Sequence, residues 1–268
     1  MSLTPDTVLC INRKGLNDSV KARQSAFVDR MAQGSNGTLV SWEEAHSLSN
    51  PVIVRGLTFR NAIKHMMAVN RTFYYVDNGY FGNQYTKIWF RIIKDHVHDV
   101  RPLIDRDAER LTRTQYYTLP RRQGSKILLA PPSPKSFTIW GIDQQNWVNE
   151  TVAAIQRHTD RPIVIREKRA RWERFATDTI EEALADDVHC LVTYNSVAAV
   201  EAVMQGVPAI CLGPNAAATV CSTDLAEIEN PKFPDDDLRE AWLRHLSYSQ
   251  FSFTEMSDGT AWRILNQQ

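Results

Sequence analysis

The chain lacks a charge excess, a cysteine framework and any long apolar run, and each lack narrows what it can be. Lysine plus arginine (31) equals aspartate plus glutamate (31), so the overall field gives no reason to expect nucleic acid, a membrane or an acidic partner. Any polyanion must be met by a local patch. The four cysteines, Cys10, Cys190, Cys211 and Cys221, have no metal-ligand spacing, and three lie in or beside apolar runs. They are expected as small core residues in a reducing cytosol. Nothing approaches the ~20 apolar residues of a membrane span, and the opening MSLTPDTVLCINRKG lacks the charge order of a signal peptide. A cytoplasmic protein without a membrane partner is therefore expected.

Motif absences narrow the chemistry. No phosphate-binding P-loop occurs, no G-x-G-x-x-G follows the first strand, and no G-x-S-x-G elbow is present, which weakens the NTPase, dehydrogenase and hydrolase readings. His96 and His98 alternate on what reads as a strand, but no third ligand follows at sensible spacing; a surface strand is favoured over a metal site. Fixed-period repeats, low-complexity tracts and heptads are also missing.

What is present is an alternation of short apolar runs with helix-like segments, in a chain of 268 residues. Thr7–Asn12, Val52–Arg55 and Thr72–Val76 read as buried strands, with helices between them and a further strand at Lys87–Ile93. The stretch Arg101–Lys126 is charged and carries Pro102, Pro120 and Gly124, a break at which the pattern restarts. Lys126–Ala130, Pro162–Arg166, Cys190–Thr193 and Pro208–Leu212 then read as strands. A Pro-rich turn (131–134) and helices near Trp147–His158, Thr179–Ala185 and Val197–Gln205 separate them. The expected fold class is α/β: a Rossmann-like domain over residues 1–122, a second over 123–234, and a helical segment over 235–268 crossing back onto the first.

The segment Tyr194–Ile210 carries the most chemistry. A strand ends at Tyr194, and Asn195 or Ser196 can cap a helix of small residues whose first N–H groups and positive dipole end would face the crevice at the strand's edge. A diphosphate binds in such a place. Glu201, on the first turns, is placed to accept hydrogen bonds from ribose or sugar hydroxyls. A plain βαβ unit with a good N-cap has the same pattern.

In the first half, Asp77 directly follows a strand and precedes Asn78, Gly79 and Tyr80. Its carboxylate would open onto an interdomain cleft and serve as the base that takes a proton from an acceptor hydroxyl; alternatively, Asp-Asn-Gly is simply a turn. Arg13 and Lys14 after the first strand, and Arg55 after the next, are candidate acceptor contacts or solvated turns. Tyr80 joins them. Lys87 and Arg91 flank Trp89 and Phe90, a mix suited to base stacking or to a half-buried strand. Basic runs at Arg113–Lys126, with Arg121 and Arg122, and at Arg166–Arg174 are either phosphate patches or solvated faces.

The stretch TYNSVAAVEAVMQGVPAICLG resembles the donor-site segment of GT-B glycosyltransferases, particularly the capsule-polysaccharide and Kdo-transferase-like branches. It also fits the epimerases built on the same scaffold. LLAPPS with Ser133 and IVIREK with Arg166 and Lys168 match the family in order and position, over roughly Lys126 to Asn230. The His-Pro pair that many relatives carry after that arginine is replaced by Glu167-Lys168. VIVRG and FYYVDNGYFGN look like small bacteriophage glycosyltransferases, some of which decorate hydroxymethylated DNA bases.

The resemblance implies two domains facing a cleft in GT-B manner. Ser133, Arg166, Lys168, Asn195, Ser196 and Glu201 would surround a nucleotide-sugar donor such as UDP-glucose, with Asp77 as the base of an inverting hexosyl transfer. Arg13, Lys14, Arg55, Tyr80, Arg121 and Arg122 would face the acceptor. That acceptor is expected to be a hydroxymethylpyrimidine in phage DNA, with a polysaccharide or lipid-linked glycan as the second choice. A non-catalytic nucleotide-binding protein on the same fold is the alternative of another class. No tightly bound metal is expected, although a diphosphate can bring Mg²⁺ with it.

Overall fold

A computed structural model of the chain describes residues 4, 6–11, 18–83, 88–167 and 179–267, without the side chains of 18–25. The chain divides into two compact units, Met1–Asp99 with Leu246–Gln268, and Val100–His245.

The first unit begins with β1 (Leu9–Ile11), α1 (Asp18–Ser35), β2 (Thr38–Val40) and α2 (Trp42–His46). It continues through β3 (Val52–Arg55), α3 (Arg60–Ala68), β4 (Phe73–Asn78) and β5 (Phe90–Lys94). β2 and α2 have no counterpart in the sequence reading. α2 nevertheless carries a local signal, a capping box in which Ser41 and Glu44 satisfy each other's backbone N–H groups. The strands β2-β1-β3-β4 run parallel, and β5 adds antiparallel to β4. β1 and β3 are apolar runs buried on both faces, as parallel strands covered by helices must be.

The second unit holds α4 (Glu109–Thr112), β6 (Lys126–Leu129), α5 (Pro134–Trp140), α6 (Gln144–Ile155), β7 (Ile163–Ile165) and α7 (Ile180–Ala185). β8 (Val188–Thr193), α8 (Ala198–Met204), β9 (Ala209–Cys211) and α9 (Asp236–Ser247) complete it, the last turn of α9 entering the first unit. Its four strands form one parallel sheet in the order β7-β6-β8-β9. Ile127, Leu129, Cys190, Val192 and Ile210 on the sheet pack against Val148 and Ile155 of α6. The supposed Pro-rich turn is the start of α5: Ser133 is the N-cap and Pro134 the first helical residue, where its fixed φ and missing N–H are tolerated.

The division between units falls at Asp99–Val100 rather than at 122–123. The charged stretch belongs to the second unit because its backbone bonds there: Leu119 N–H to the Met204 carbonyl (2.8 Å) and Arg122 N–H to that of Gly206 (2.7 Å). The tail also divides differently. α9 packs in the second unit, where the buried Trp242 donates its indole N–H to the Ala216 carbonyl (2.9 Å). The return to the first unit is made by β10 (Gln250–Phe251), α10 (Phe253–Ser257) and α11 (Thr260–Asn266), with β10 antiparallel to β5.

α10 and α11 lie against α1, and Phe253 stacks on Phe90 while meeting Phe27 edge-on. Gly34 permits this approach, since a Cβ there would overlap the Met256 carbonyl oxygen and press on Gly259 N (2.9 Å). Gly34→Ala is therefore expected to destabilise the protein by roughly 1–3 kcal/mol, the usual range for overpacking. Urea denaturation followed by circular dichroism measures it; an unchanged midpoint would show that the contact yields freely.

Both units share one strand order, with the second strand outside the first and the third inside it. In such sheets the crevice lies between the carboxyl ends of the first and third strands, where successive connections leave in opposite directions. This rule singles out β1/β3 in the first unit and β6/β8 in the second.

Candidate donor site and the Asp77 clasp

At the β6/β8 switch point the two loops are bonded to each other. Thr193, at the end of β8, donates its hydroxyl to the Ala130 carbonyl beyond β6 (2.6 Å) and accepts the Ser196 N–H (3.3 Å). Ser136, in the first turn of α5, donates its hydroxyl to Asn195 Oδ1 (3.0 Å). Asn215 holds the other side of the loop, giving its amide to the Ser196 carbonyl (2.9 Å) and accepting the Ala217 N–H (3.0 Å). Hydroxyl and amide side chains thus tie these loops together at the switch point.

Ser133, Asn195 and Ser196 all stand at this switch point. Arg166 stands one strand away, at the end of β7, its N–H continuing the ladder to the Leu129 carbonyl (2.9 Å). Ser133, Ser196 and Arg166 are half-buried, whereas Asn195 is only 2% exposed. Glu201 lies in the first turn of α8, half-buried. Lys168 lies outside the described residues.

The start of α8 differs from expectation in one respect. Ser196 Oγ accepts the Ala198 N–H (3.2 Å), its carbonyl accepts that of Ala199 (3.3 Å), and the Val197 carbonyl accepts those of Val200 (2.8 Å) and Glu201 (3.2 Å). The N–H groups of Ala198–Glu201 are therefore engaged within the chain instead of facing an anion.

Sequence reasoning passed over Thr193, Ser136, Asn215 and Gly213. Gly213 makes room for Tyr194, because a Cβ would lie 2.6 Å from its ring. That ring sits among Phe137, Trp140 and Trp147 at centroid distances of 5.7 to 6.2 Å, and burial raises the phenol's pKa. The Tyr-Asn-Ser run was the available signal; its partners come from distant positions.

In the first unit, Asp77 is not in a turn. It occupies β4, directly opposite Arg91 of β5. Its Oδ1 accepts from Arg55 Nη1 (2.8 Å) and from the Asn78 N–H (2.8 Å); its Oδ2 accepts from the Tyr75 hydroxyl (2.6 Å) and faces Arg91 Nη2 at 3.5 Å. The Arg91 guanidinium lies over the rings of Tyr75 and Tyr80 and donates to the Asn78 carbonyl (2.7 Å). Burial alone would raise the Asp77 pKa, but Arg91 and Arg55 outweigh it and hold the carboxyl at about 2. A carboxylate so held is ionised at neutral pH and anchored by its two arginine partners.

Tyr80 is 3% exposed, and its hydroxyl accepts the Asp99 N–H (2.8 Å). The backbone N–H groups of Tyr80 and Phe81 are received by Gln250 Oε1. Arg122 donates to the Leu184 carbonyl, and Arg121 lies over the Phe233 ring. Arg55 stands at the β1/β3 switch point but is bound to Asp77. Arg13 and Lys14 lie outside the described residues, as do Lys87 and most of the Arg166–Arg174 run.

The His96–His98 segment is a local turn rather than a strand, with the His98 N–H donating to His96 Nδ1 (3.0 Å). Among the described residues no group of three or more histidine, cysteine or acidic side chains is placed to hold a metal. None of the described helices is long and apolar enough to cross a membrane. The four cysteines are buried and unbridged, and burial raises the Cys10 thiol to about 12.

No protein-family model matches the chain, and no curated protein matches it. Among solved structures it is similar to two of KpsC from Thermosulfurimonas dismutans. One, a beta Kdo 2,4 transferase, is 13% identical with a TM-score of 0.49, over 91% of each chain. The other, a beta Kdo 2,7 transferase, is 16% identical with a TM-score of 0.49, over 98% of this chain and 99% of that one. Likeness of this order transfers neither activity nor substrate, and any functional assignment rests on the chain's own residues.

Proposed function

We propose that the chain is a glycosyltransferase of the GT-B type. It holds a nucleotide-sugar donor at the β6/β8 crevice of the second unit and moves the sugar to a hydroxyl of a saccharide acceptor. The observation that carries this reading is the convergence of Ser133, Asn195 and Ser196 on one topological switch point, with Arg166 at the end of the neighbouring strand. In this reading Arg166 stabilises the charge that builds on the departing phosphate, and the hydroxyl and amide groups orient it. Glu201 receives hydroxyls of the ribose or the sugar. A saccharide acceptor is favoured over a DNA base because the chain has no net positive charge to draw a polyanion.

The test is incubation with a panel of UDP-, GDP- and CMP-linked sugars, UDP-glucose included, together with an oligosaccharide or with hydroxymethylated DNA. Release of free nucleotide and a sugar's mass gain on the oligosaccharide are expected. No release from any donor by folded protein would overturn the reading, and mass gain confined to DNA would overturn the acceptor. A second reading, nucleotide binding without turnover, draws on Asp77, whose ion pairs leave it a poor base. It predicts calorimetric nucleotide binding with no release from any donor.

A further inference from the structure

We infer that Ser136 positions the Asn195 amide so that Nδ2 is a preset hydrogen-bond donor to a phosphate oxygen of the bound nucleotide. The inference rests on the donor-site reading above and assigns a role within that site.

The reason lies in an incomplete account of buried hydrogen bonds. Asn195 is 2% exposed, and its Oδ1 is occupied by the Ser136 hydroxyl, while Nδ2 has no partner among the described residues. Buried amides are rarely left half-satisfied, and an exception calls for a cause. The neighbours show how unusual this one is. Asn215, equally buried in the facing loop, uses both ends of its amide, and Thr193 uses its hydroxyl as donor and as acceptor. Asn195 alone among these three keeps a donor in reserve.

The Ser136 bond determines which end of the amide that is. A hydroxyl donating to Oδ1 fixes the carbonyl toward α5 and turns the NH₂ away from it. Because Ser136 belongs to the β6 side of the switch point and Asn195 to the β8 side, the bond spans the place where a ligand of this fold enters. The same two loops carry the hydroxyls of Ser133 and Ser196, which can also donate. A group rich in acceptor oxygens matches such a set, and a phosphate is the part of a nucleotide that has them.

Isothermal titration with CMP and UDP, and with cytidine and uridine as phosphate-free probes, tests this on the full chain. Asn195→Asp replaces the donor by a negative acceptor and is expected to weaken nucleotide binding by about thirtyfold or more, with the nucleosides changing less than about twofold. Ser136→Ala frees the amide to turn and is expected to weaken nucleotide binding about fivefold, again without moving the nucleosides. If Asn195→Asp fails to fold, Ser136→Ala decides alone. Wild-type nucleotide affinity in the variants would overturn the inference and leave the donor site standing, as would equal losses for nucleotide and nucleoside. Failure of the wild-type protein to bind any nucleotide would overturn both.

Discussion

Replacing Gly206 by alanine is expected to lower the melting temperature of the protein by roughly 10 °C. Two effects add. Gly206 follows α8 with φ of +79°, a left-handed conformation in which a residue with a Cβ is strained by about 1 kcal/mol or more. The new Cβ would also overlap the Pro120 carbonyl oxygen, and that oxygen belongs to a backbone segment pinned by the Arg122 N–H bond to Gly206 itself. Neither side can yield without breaking a hydrogen bond, so overpacking adds roughly 2 kcal/mol. Gly56 supplies the control. It too has a positive φ (+68°), but a Cβ there meets nothing within 4 Å. Gly56→Ala should cost only the backbone strain, about 1–3 kcal/mol, since its φ of 68° and ψ of 175° lie in a region that glycine alone adopts readily. A fall of less than about 3 °C in Gly206→Ala would refute the steric part. Because Gly206 ends the helix that begins beside Ser196, Gly206→Ala should weaken nucleotide binding as well.

The second large effect is expected at Asp77. Asp77→Ala removes the carboxylate that two arginines face and leaves Arg91, 6% exposed, without its counter-charge. Breaking a buried pair from one side costs about 3 kcal/mol or more, because the remaining charge cannot be hydrated. A cycle with Arg91→Met should show coupling of about 1–3 kcal/mol, the double variant being less damaged than the sum of the two singles. Strict additivity would mean that the pair does not interact.

The same clasp sets a pH dependence. Asp77 is held at about 2, below its usual 3.8, so the folded form binds its proton more weakly than the unfolded form does. The stabilisation is therefore complete above about pH 4, of order 2 kcal/mol, and is lost as pH falls from 4 through 2. In Asp77→Asn this acid-limb contribution should vanish. The activity profile provides a separate check, since an anchoring Asp77 contributes no titration between pH 5 and 8. A kinetic pKa in that range that disappears in Asp77→Asn would show that Asp77 acts as a base instead.

Much of the second unit was legible from local pattern. Its strands are short apolar runs, α7 carries a Thr179/Glu182 capping box, and a left-handed Gly206 follows α8. The first unit was less so. β2 has only three residues, one of them exposed, and offers no periodicity to detect. β5 and β10 complete the sheet from distant parts of the chain, and a two-residue strand such as β10 exists only because β5 leaves an edge to pair with. Asp77 shows the same limit at a single residue. Asp-Asn-Gly favours a turn by its own propensities, but antiparallel pairing with β5 keeps Asp77 and Asn78 extended.

From its sequence alone, then, this chain determined its elements and their polar endings: apolar runs that must be buried, caps that start helices, and Ser133, Arg166, Asn195 and Ser196 placed just beyond strands. Those are local properties, governed by side-chain burial and by backbone groups a few residues apart. The tertiary structure decided which endings meet. The order β7-β6-β8-β9 joins the loops after β6 and β8 and brings Ser136 to Asn195 across 59 residues. The antiparallel pairing of β5 with β4 sets Arg91 opposite Asp77 and gives its carboxylate a second arginine partner. Strand order and register depend on non-local hydrogen bonding and on burying both faces of a sheet at once, conditions that no window of sequence contains.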